Sequence, residues 1–239
     1  MKILGFIPAR GGSKSIKHKN IYKLNNIPLI KYCYNASKVS KIFTKIVCST
    51  DSLKVKETID DKFIEFEDRP KSLAKDNTNV TDVLQDYLKK TKYKFDWVFL
   101  IQPTSPFVLP SHFKLCLSEI KKNKDIKSLQ TICETPHNFH PFNARIIKNQ
   151  KLEFLFKDLR LKLYNKQLKK RIFFFGNILA TNVKSFIEED NFFVKPSFPI
   201  KIESKYCFDF DSKHDIELAK IISKIYLKDL ANESKINYF

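Results

Sequence analysis

The chain has 239 residues, of which 43% are hydrophobic and 13% aromatic, and its formal net charge is +18. This length predicts one large domain, or one domain with an insertion, and the apolar content excludes a largely disordered protein. No stretch approaches the roughly 20 apolar residues that a membrane-spanning helix needs, so we expect no membrane span. Five cysteines are scattered singly without short pairing. Such cysteines are typical of reduced, mostly buried thiols in a cytoplasmic protein.

The positive charge is compatible with a nucleic-acid binder, a membrane-surface protein or an enzyme acting on polyanionic small molecules. The lysines are spread along the whole chain and are not gathered in one block. This distribution is typical of a solvated exterior, so we expect no nucleic-acid partner. A basic nucleic-acid-binding protein, with affinity that falls steeply with salt, is the non-enzymatic alternative.

Strand and helix patterns alternate along the first half of the chain. Apolar runs and turn signals predict strands at 2–7, 44–50, 62–70, 96–106 and 128–134, and helices starting at Pro28, after Thr78 and Asn79, and at Pro110. The alternation predicts an α/β fold, a mostly parallel twisted sheet with helices on both faces. In a last helix, the inner apolar stripe is predicted at Leu218, Ile221, Ile222 and Ile225.

The segment 135–171 departs from this alternation. It is rich in aromatic and basic residues and has no clean period, which indicates an inserted arm within a core formed by 1–134 and 172–239. After the arm, "IFFFGN" (172–177) predicts a core strand. Gly176 marks a bulge or a close backbone approach in that strand.

The loop "IPARGGSKSIKHKN" (7–20) follows the first predicted strand and contains two of the four glycines in the chain. Gly11 and Gly12 are expected to adopt backbone angles closed to other residues and to let amides approach an oxyanion. Three cations able to make charge-assisted hydrogen bonds to phosphate surround them: Arg10, Lys14 and Lys19. The spacing is neither that of a Walker loop nor GxGxxG. We favour a triphosphate-binding loop over a basic surface turn.

The segment "FDFDSKHD" (208–215) predicts a second constellation. On a strand, Asp209 and Asp211 share one face while the two phenylalanines point into the core. Paired carboxylates at a strand end form an oxygen-rich site for Mg²⁺, which also binds substrate phosphates. The structural alternative is that Asp211 or Ser212 only caps the final helix.

Two further side chains lie at predicted strand ends. Gln102, in "QPTSP", offers both a donor and an acceptor, which suits it to a base edge or a sugar hydroxyl. Arg69 is placed to hold a base or a phosphate. Turn chemistry and an ordinary surface arginine are the respective alternatives.

These motifs together resemble the acylneuraminate cytidylyltransferase family, the CMP-sialic acid synthetases. The resemblance covers about residues 3 to 225 and rests on five motifs in the family's order: "IPARGGSKSIKHKN" (7–20), "STD" (49–51), "RPKSLAKD" (69–76), "LIQPTSPF" (100–107) and "FDFDSKHD" (208–215). It implies a Rossmann-like nucleotidyltransferase core. It also implies Mg²⁺-dependent transfer of CMP from CTP to the anomeric hydroxyl of an acidic nonulosonic sugar, with release of pyrophosphate.

Carried over by position, the resemblance assigns roles to residues of this chain. The nucleotide would be bound by Arg10, Gly11, Gly12, Ser13, Lys14, Lys19, Asn20, Arg69 and Gln102. Asp209 and Asp211 would hold the metal, and Arg10, Lys14 and Asp211 would be catalytic. The family is usually a homodimer in which an arm of each subunit reaches the other's active site, and 135–171 would be that arm.

The acceptor side departs from the family pattern. Where an Arg-x-Asn-Gly-Ala run is common, this chain has Phe174 in place of the arginine and the reversed pair Gly176-Asn177; Arg145 stands where a lysine is common. A legionaminic, pseudaminic or Kdo-like acid is therefore as well predicted as N-acetylneuraminic acid. A nucleotidyltransferase for a sugar 1-phosphate, and a family member that binds nucleotide without turnover, are the remaining alternatives.

Overall fold

The structure is a computed structural model that describes residues 1–13, 15–92 and 94–234. Its strands are β1 (Ile3–Pro8), β2 (Lys23–Leu24), β3 (Ile27–Pro28), β4 (Lys45–Thr50), β5 (Ile64–Asp68), β6 (Trp97–Leu100), β7 (Ser128–Glu134), β8 (Arg145–Lys148), β9 (Lys151–Phe154), β10 (Phe173–Asn182) and β11 (Ser197–Lys201). Its α-helices are α1 (Leu29–Ser40), α2 (Leu53–Thr58), α3 (Val80–Lys90), α4 (Pro110–Lys122), α5 (Lys157–Lys162), α6 (Val183–Glu189) and α7 (Asp215–Ser234).

A seven-stranded sheet in the order β11-β7-β10-β6-β1-β4-β5 forms the centre of the molecule. Within this sheet, β10 runs antiparallel to its neighbours β6 and β7, and the other described strand pairs are parallel. The predicted α/β fold with a mostly parallel sheet is therefore confirmed. β1 shows that the sheet is buried on both faces. Its Ile3 and Ile7 point into one apolar layer and its Leu4 and Phe6 into the other, because successive side chains of a strand alternate between faces.

Helices cover both faces of this sheet. α1, α4 and α7 contribute to the layer that contains Ile7, whereas α3 and α6 contribute to the layer that contains Phe6. The predicted start signals hold: Asn79 caps α3 by accepting the Thr81 N–H at 3.1 Å, and Pro110 is the first residue of α4. α1 begins at Leu29, one residue after the predicted Pro28.

The prediction for the inner stripe of α7 is wrong for three of its four residues; Ile222 is partly buried and packs against the core, as predicted. Leu218, Ile221 and Ile225 are 53%, 62% and 45% exposed. The buried face instead consists of Ala219, Ser223, Tyr226, Leu227 and Leu230. This face packs into the core, and the Tyr226 hydroxyl donates to the Val108 carbonyl at 2.9 Å.

The prediction of a core strand at 172–177 is half right. Phe173 to Phe175 pair only with β7 and are at least 36% exposed. The pairing register shifts between Phe175 and Leu179, so the predicted bulge is confirmed. A Cβ on Gly176 would lie 2.6 Å from Thr131 Oγ1, so the close backbone approach is confirmed as well.

Residues 135–171 leave the central sheet after β7 and return to it at β10. Within this segment β8 and β9 form a separate two-stranded antiparallel sheet, and α5 follows. Several large apolar side chains stay exposed there, among them Ile147 at 80% and Leu152 at 69%. The interpretation of this segment as an inserted arm stays a prediction.

Two simple features complete the architecture. Four of the five cysteines are buried and all five are free thiols. Among the described residues, we find no helix with the length and apolar character that crossing a membrane requires.

Candidate active site

A cavity of about 500 Å³ opens beyond the carboxyl ends of β1, β5 and β6. Ligands of open α/β sheets bind at this edge. Most of the residues predicted to bind nucleotide or metal line it, namely Arg10, Gly12, Ser13, Lys19, Asn20, Arg69, Gln102 and Asp211. Gly11 and Asp209 are not part of this lining, and Lys14 lies outside the described residues.

The two glycines of the loop differ in their surroundings. The Gly11 N–H donates to Asp51 Oδ1 at 2.7 Å, and a Cβ on Gly11 would lie only 2.7 Å from Ser52 Cβ. A Cβ on Gly12 would meet nothing within 4 Å. The expectation of special backbone angles is wrong, because none of the four glycines, all of them described, has positive φ. Gly11 instead permits close packing against the residues after β4.

The cations of the loop are held by acidic side chains. Lys19 Nζ lies 2.6 Å from Asp211 Oδ1, and Arg10 Nη1 lies 2.6 Å from Asp76 Oδ1. The Asn20 amide donates to the Arg10 carbonyl at 2.9 Å and so fixes the loop backbone. The ion pair of Lys19 and Asp211 joins the first and last motifs of the sequence, which are 192 residues apart.

Arg69 is buried, so the alternative of an ordinary surface arginine is wrong. Its Nη2 donates to the Ser49 carbonyl at 2.8 Å and its Nε to Ser49 Oγ at 3.3 Å. Desolvation lowers the pKa of Arg69, and the nearby Asp51 carboxylate opposes this shift. Guanidinium stays protonated in proteins, so Arg69 places a fixed positive charge at the cavity wall.

The segment that carries Asp209 and Asp211 has no regular secondary structure, which corrects the prediction of a strand. It is held to the loop after β6 by one backbone hydrogen bond, from the Phe210 N–H to the Thr104 carbonyl at 2.6 Å. Phe210 is fully buried. Asp209 and Asp211 are exposed on either side of Phe210, so the predicted separation of acidic and aromatic side chains is kept without a neighbouring strand.

Asp215, the first residue of α7, orders the turn that follows these aspartates. Its carboxylate accepts the N–H groups of Asp211 and Ser212 at 3.0 and 2.6 Å. Desolvation acts to raise the pKa of Asp215, but these hydrogen bonds outweigh it and hold the pKa below its usual value. The Asp211 carboxylate is therefore not used as a cap and faces Lys19.

The aspartate pair fits a divalent cation. Although the Asp209 side chain is open to solvent, protein surrounds its carboxyl on the other sides, and this desolvation raises its pKa. The Asp211 carboxylate adds to the rise, whereas a hydrogen bond with Thr104 opposes it. A shared cation would relieve the repulsion between the two carboxylates. Mg²⁺ commonly binds one or two carboxylates and completes its coordination with water and phosphate oxygens.

A second cavity of about 350 Å³ adjoins the first, since Gln102 and Val80 line both. Its walls combine apolar side chains with amides: Leu179, Phe175, Phe192, Phe193, Gln130 and Asn191. Phe174 and Arg145, at which the sequence departs from the family pattern, do not line this second cavity. Phe174 is 47% exposed, and Arg145 stacks on Phe154 in the hairpin, with Cζ 4.7 Å from the ring centroid.

The sequence motifs contain Asp51, Asp76 and Thr104, but the positioning role of each was not predicted. Asp51 and Asp76 hold the loop, and Thr104 holds the aspartate segment. Asp51 had a usable signal, since it follows a predicted strand directly. Asp76 and Thr104 act across long sequence separations and leave no local pattern.

A sequence model of the cytidylyltransferase family matches residues 4–231. The N-acylneuraminate cytidylyltransferase of Escherichia coli O18:K1:H7 is 26% identical over 240 residues, which are 100% of this chain and 55% of that protein. The chain thus spans about half the length of that relative. The CMP-N,N'-diacetyllegionaminic acid synthase of Legionella pneumophila is 31% identical over 238 residues, covering 94% of this chain and 97% of that protein.

The fold has a counterpart among solved structures. CMP:2-keto-3-deoxy-manno-octonic acid synthetase, solved in complex with CTP, superimposes with a TM-score of 0.69 at 13% sequence identity. The match covers 95% of this chain and 100% of that one. At this identity the likeness shows the fold.

Proposed function

This chain belongs to the cytidylyltransferase family, and we propose that it transfers CMP from CTP to the anomeric hydroxyl of an acidic nonulosonic sugar. The observation that carries the proposal is the ion pair of Lys19 and Asp211, which brings the basic loop and the aspartate segment to one cavity. A triphosphate needs cations and a metal site at the same place.

In the proposed reaction the acceptor hydroxyl attacks the α-phosphorus in line with the departing pyrophosphate. Such a reaction requires orientation and charge neutralisation more than covalent chemistry. Arg10, Lys19 and Arg69 bind and neutralise phosphate oxygens, and Arg69 does so from a fixed, buried position. Arg10 offers a planar fork that suits two phosphate oxygens. Lys14 keeps the role that the resemblance implies.

Asp209 and Asp211 are the residues that would hold Mg²⁺. When bound, the ion would neutralise phosphate charge beside the attacked phosphorus. Asp211 contributes in a second way, since its pairing holds Lys19 against the cavity. Binding of the magnesium salt of CTP would release Lys19 from this pair to contact phosphate.

The adjoining cavity supports an acceptor with apolar substituents. Gln102 lies at the junction of the two cavities and can donate to and accept from the sugar. The phenylalanine walls suit methyl or acyl groups, and the amides of Gln130 and Asn191 suit their polar atoms. We propose that the acceptor is an acidic sugar that carries such groups.

Pyrophosphate release tests this function. The protein is incubated with Mg²⁺ and each of CTP, UTP, ATP and GTP, together with N-acetylneuraminic, legionaminic, pseudaminic or Kdo acid or with no acceptor. We expect release only with CTP and only when one of the acids is present. Activity with UTP or GTP but not with CTP would reject the proposal. Asp211→Asn, which keeps the size of the side chain, should abolish metal-dependent release.

We also propose that two copies associate through residues 135–171. The exposed apolar side chains of this segment, including Ile147 and Leu152, support a contact with another protein surface. The β8–β9 hairpin lies outside the central sheet, so it can contact a second copy without disturbing the core.

A further inference from the structure

Asn177 lies at the centre of a buried polar network behind the candidate active site. It is 2% exposed and follows the bulge at Gly176 on β10. Its Nδ2 lies 3.2 Å from the Phe107 carbonyl oxygen, 3.3 Å from the Tyr206 carbonyl oxygen and 3.2 Å from His112 Nδ1. The two hydrogens of this amino group are therefore shared among three acceptors that come from distant parts of the chain.

Two of these partners belong to the segments that form the cavity. Phe107 ends the loop that carries Gln102 and Thr104, and Tyr206 immediately precedes the segment 207–211 that carries the aspartates. The loop and the segment also bond to each other at the cavity, through the Phe210 N–H and the Thr104 carbonyl. Asn177 thus holds the loop and the segment together, and the segment carries the aspartate pair.

The orientation of the Asn177 carboxamide is itself fixed. Thr131 Oγ1, on β7, accepts the Asn177 N–H at 2.8 Å and lies 3.1 Å from Asn177 Oδ1, to which its hydroxyl donates. This arrangement needs Gly176, because a Cβ there would collide with the Thr131 backbone carbon at 2.9 Å. With Oδ1 held by Thr131, the amino group must face the other three partners.

His112 supplies an acceptor on the opposite side. The single lone pair of its Nδ1 faces both the Leu109 N–H at 3.3 Å and the Asn177 amino group at 3.2 Å, so we assign the ring proton to Nε2. Burial lowers the pKa of His112 to about 4, so Nδ1 stays free to accept at neutral pH. His112 also contacts Tyr206, another member of the network: the two rings meet edge-on with their centroids 5.0 Å apart.

We infer that Asn177 is a positioning residue for the aspartate pair, setting the spacing between the loop 102–107 and the segment 206–211. The inference rests on the proposed metal role of Asp209 and Asp211. It also gives a physical meaning to the Gly176-Asn177 order. The glycine provides the close approach to Thr131, and the asparagine that follows is directed inward instead of into the cavity. Residues that hydrogen-bond a metal ligand directly commonly change metal affinity by about 10- to 100-fold. Asn177 acts one step further from the aspartates, so we expect the lower end of this range.

The test measures metal and nucleotide binding separately, without turnover. Binding of Mn²⁺, a paramagnetic substitute for Mg²⁺, is followed by electron paramagnetic resonance in the presence of CTP, and CTP binding is measured by calorimetry in EDTA. We expect Asn177→Ala to weaken Mn²⁺ binding about tenfold, the lower end of the range for direct partners of metal ligands. CTP affinity in EDTA should change by less than about twofold, because the cations Arg10, Lys19 and Arg69 are not bonded to Asn177.

A matched control and a second variant keep the test decisive. Asn182→Ala removes another asparagine of β10, one that caps α6 by accepting the Ser185 N–H at 3.1 Å far from the cavity. It should lower stability and leave Mn²⁺ binding unchanged. Thr131→Val keeps the shape of the side chain but removes the hydroxyl that orients the carboxamide and that also accepts the Asn177 and Ile178 N–H groups. It should weaken Mn²⁺ binding as Asn177→Ala does, and its result tests the inference if Asn177→Ala does not fold.

Three results would overturn the inference: unchanged Mn²⁺ binding in the folded variants, a parallel loss of CTP affinity in EDTA, or an equal shift in Asn182→Ala. Failure of the wild type to bind Mn²⁺ with CTP would overturn it as well. A wild type that binds Mn²⁺ and CTP but transfers no CMP to any acid would reject only the proposed function.

Discussion

Gly11 and Gly12 are neighbours in the sequence, yet they meet opposite environments. A methyl group on Gly11 would lie 2.7 Å from Ser52 Cβ, an atom too close to its own backbone to move aside, whereas Gly12 faces open space. We expect Gly11→Ala to lower the free energy of unfolding by about 1–3 kcal/mol, the usual cost of overpacking. Gly12→Ala should be neutral or stabilising by up to about 1 kcal/mol, because its φ is not positive.

Urea denaturation checks both glycine variants. Equal destabilisation by the two would contradict the close contact between Gly11 and Ser52. CTP binding adds a second result: if Gly12→Ala keeps full stability but binds CTP more weakly, the methyl group is competing with the nucleotide for space. That outcome would support the proposed role of Gly12 in the cavity.

The burial of His112 predicts that the free energy of unfolding falls as the pH is lowered. Burial lowers its pKa from 6.5 to about 4 in the folded protein. As the pH falls below 6.5, the unfolded chain takes up this proton first, so the free energy of unfolding drops by about 1.4 kcal/mol per pH unit until the folded pKa is reached. The full loss is about 3 kcal/mol and is complete near pH 4.

His112→Asn isolates this effect, because the asparagine oxygen can accept in place of Nδ1 but does not titrate. Unfolding free energies of the wild type and the variant are compared from pH 7 to 4.5. We expect the wild type to lose more stability over this range than His112→Asn does. Parallel curves would mean that His112 is not held neutral by burial.

Among the elements, α7 shows where sequence periodicity reaches its limit. Two stripes on this helix are compatible with a 3.6-residue period, and the more apolar one, with Leu218, Ile221 and Ile225, is exposed. The buried face makes contacts with distant parts of the chain: Asn25 Nδ2 donates to Ser223 Oγ at 2.7 Å, and the Tyr226 hydroxyl donates to the Val108 carbonyl at 2.9 Å. Such long-range contacts are not visible in the local pattern.

Substitutions on the two faces of α7 test this orientation. Ile221→Ala removes a side chain that is 62% exposed and should change the free energy of unfolding by less than about 0.5 kcal/mol. Leu230→Ala removes one that is 2% exposed and should cost about 2–5 kcal/mol. Thermal or urea denaturation distinguishes the two, and a larger loss from Ile221→Ala would mean that the sequence prediction of the inner face was right.

Other elements were predictable to the extent that their signal is local. β1, β4 and β6 are short apolar runs because both of their faces are covered. α3 begins after a capping asparagine, and α4 begins with a proline. β11 was missed, since it contains a proline and buries only Ile200. In the site, residue type identified Arg69, Lys19 and Asp211. Only the folded chain shows that Arg69 bonds to Ser49 and that Lys19 pairs with Asp211.

At the scale of the whole molecule, the candidate site joins the two ends of the described chain. The basic loop follows β1, whereas the aspartate segment precedes α7, and residues 135–171 lie between them in the sequence without entering the central sheet. The core can therefore form around this segment, which leaves its apolar hairpin free for another contact. We expect that contact to be a second copy of the chain.

The register of the hairpin shows how to remove that contact. Ile147 and Leu152 are direct partners on β8 and β9, so their side chains share one face, and they are 80% and 69% exposed. In analytical ultracentrifugation we expect the wild type to sediment as a dimer. The double variant Ile147→Asp, Leu152→Asp should sediment as a monomer, because two carboxylates would have to be desolvated in the interface.

A matched control separates the arm from general surface effects. Ile221→Asp places the same charge on an exposed apolar site of α7, and it should leave the dimer intact. Because the substituted hairpin residues are exposed, the circular dichroism spectrum of the double variant should match that of the wild type. A wild type that remains monomeric at every concentration, or a double variant that remains dimeric, contradicts association through the arm. If the monomer still binds CTP but transfers CMP more slowly, the arm of one copy contributes to the acceptor side of the other.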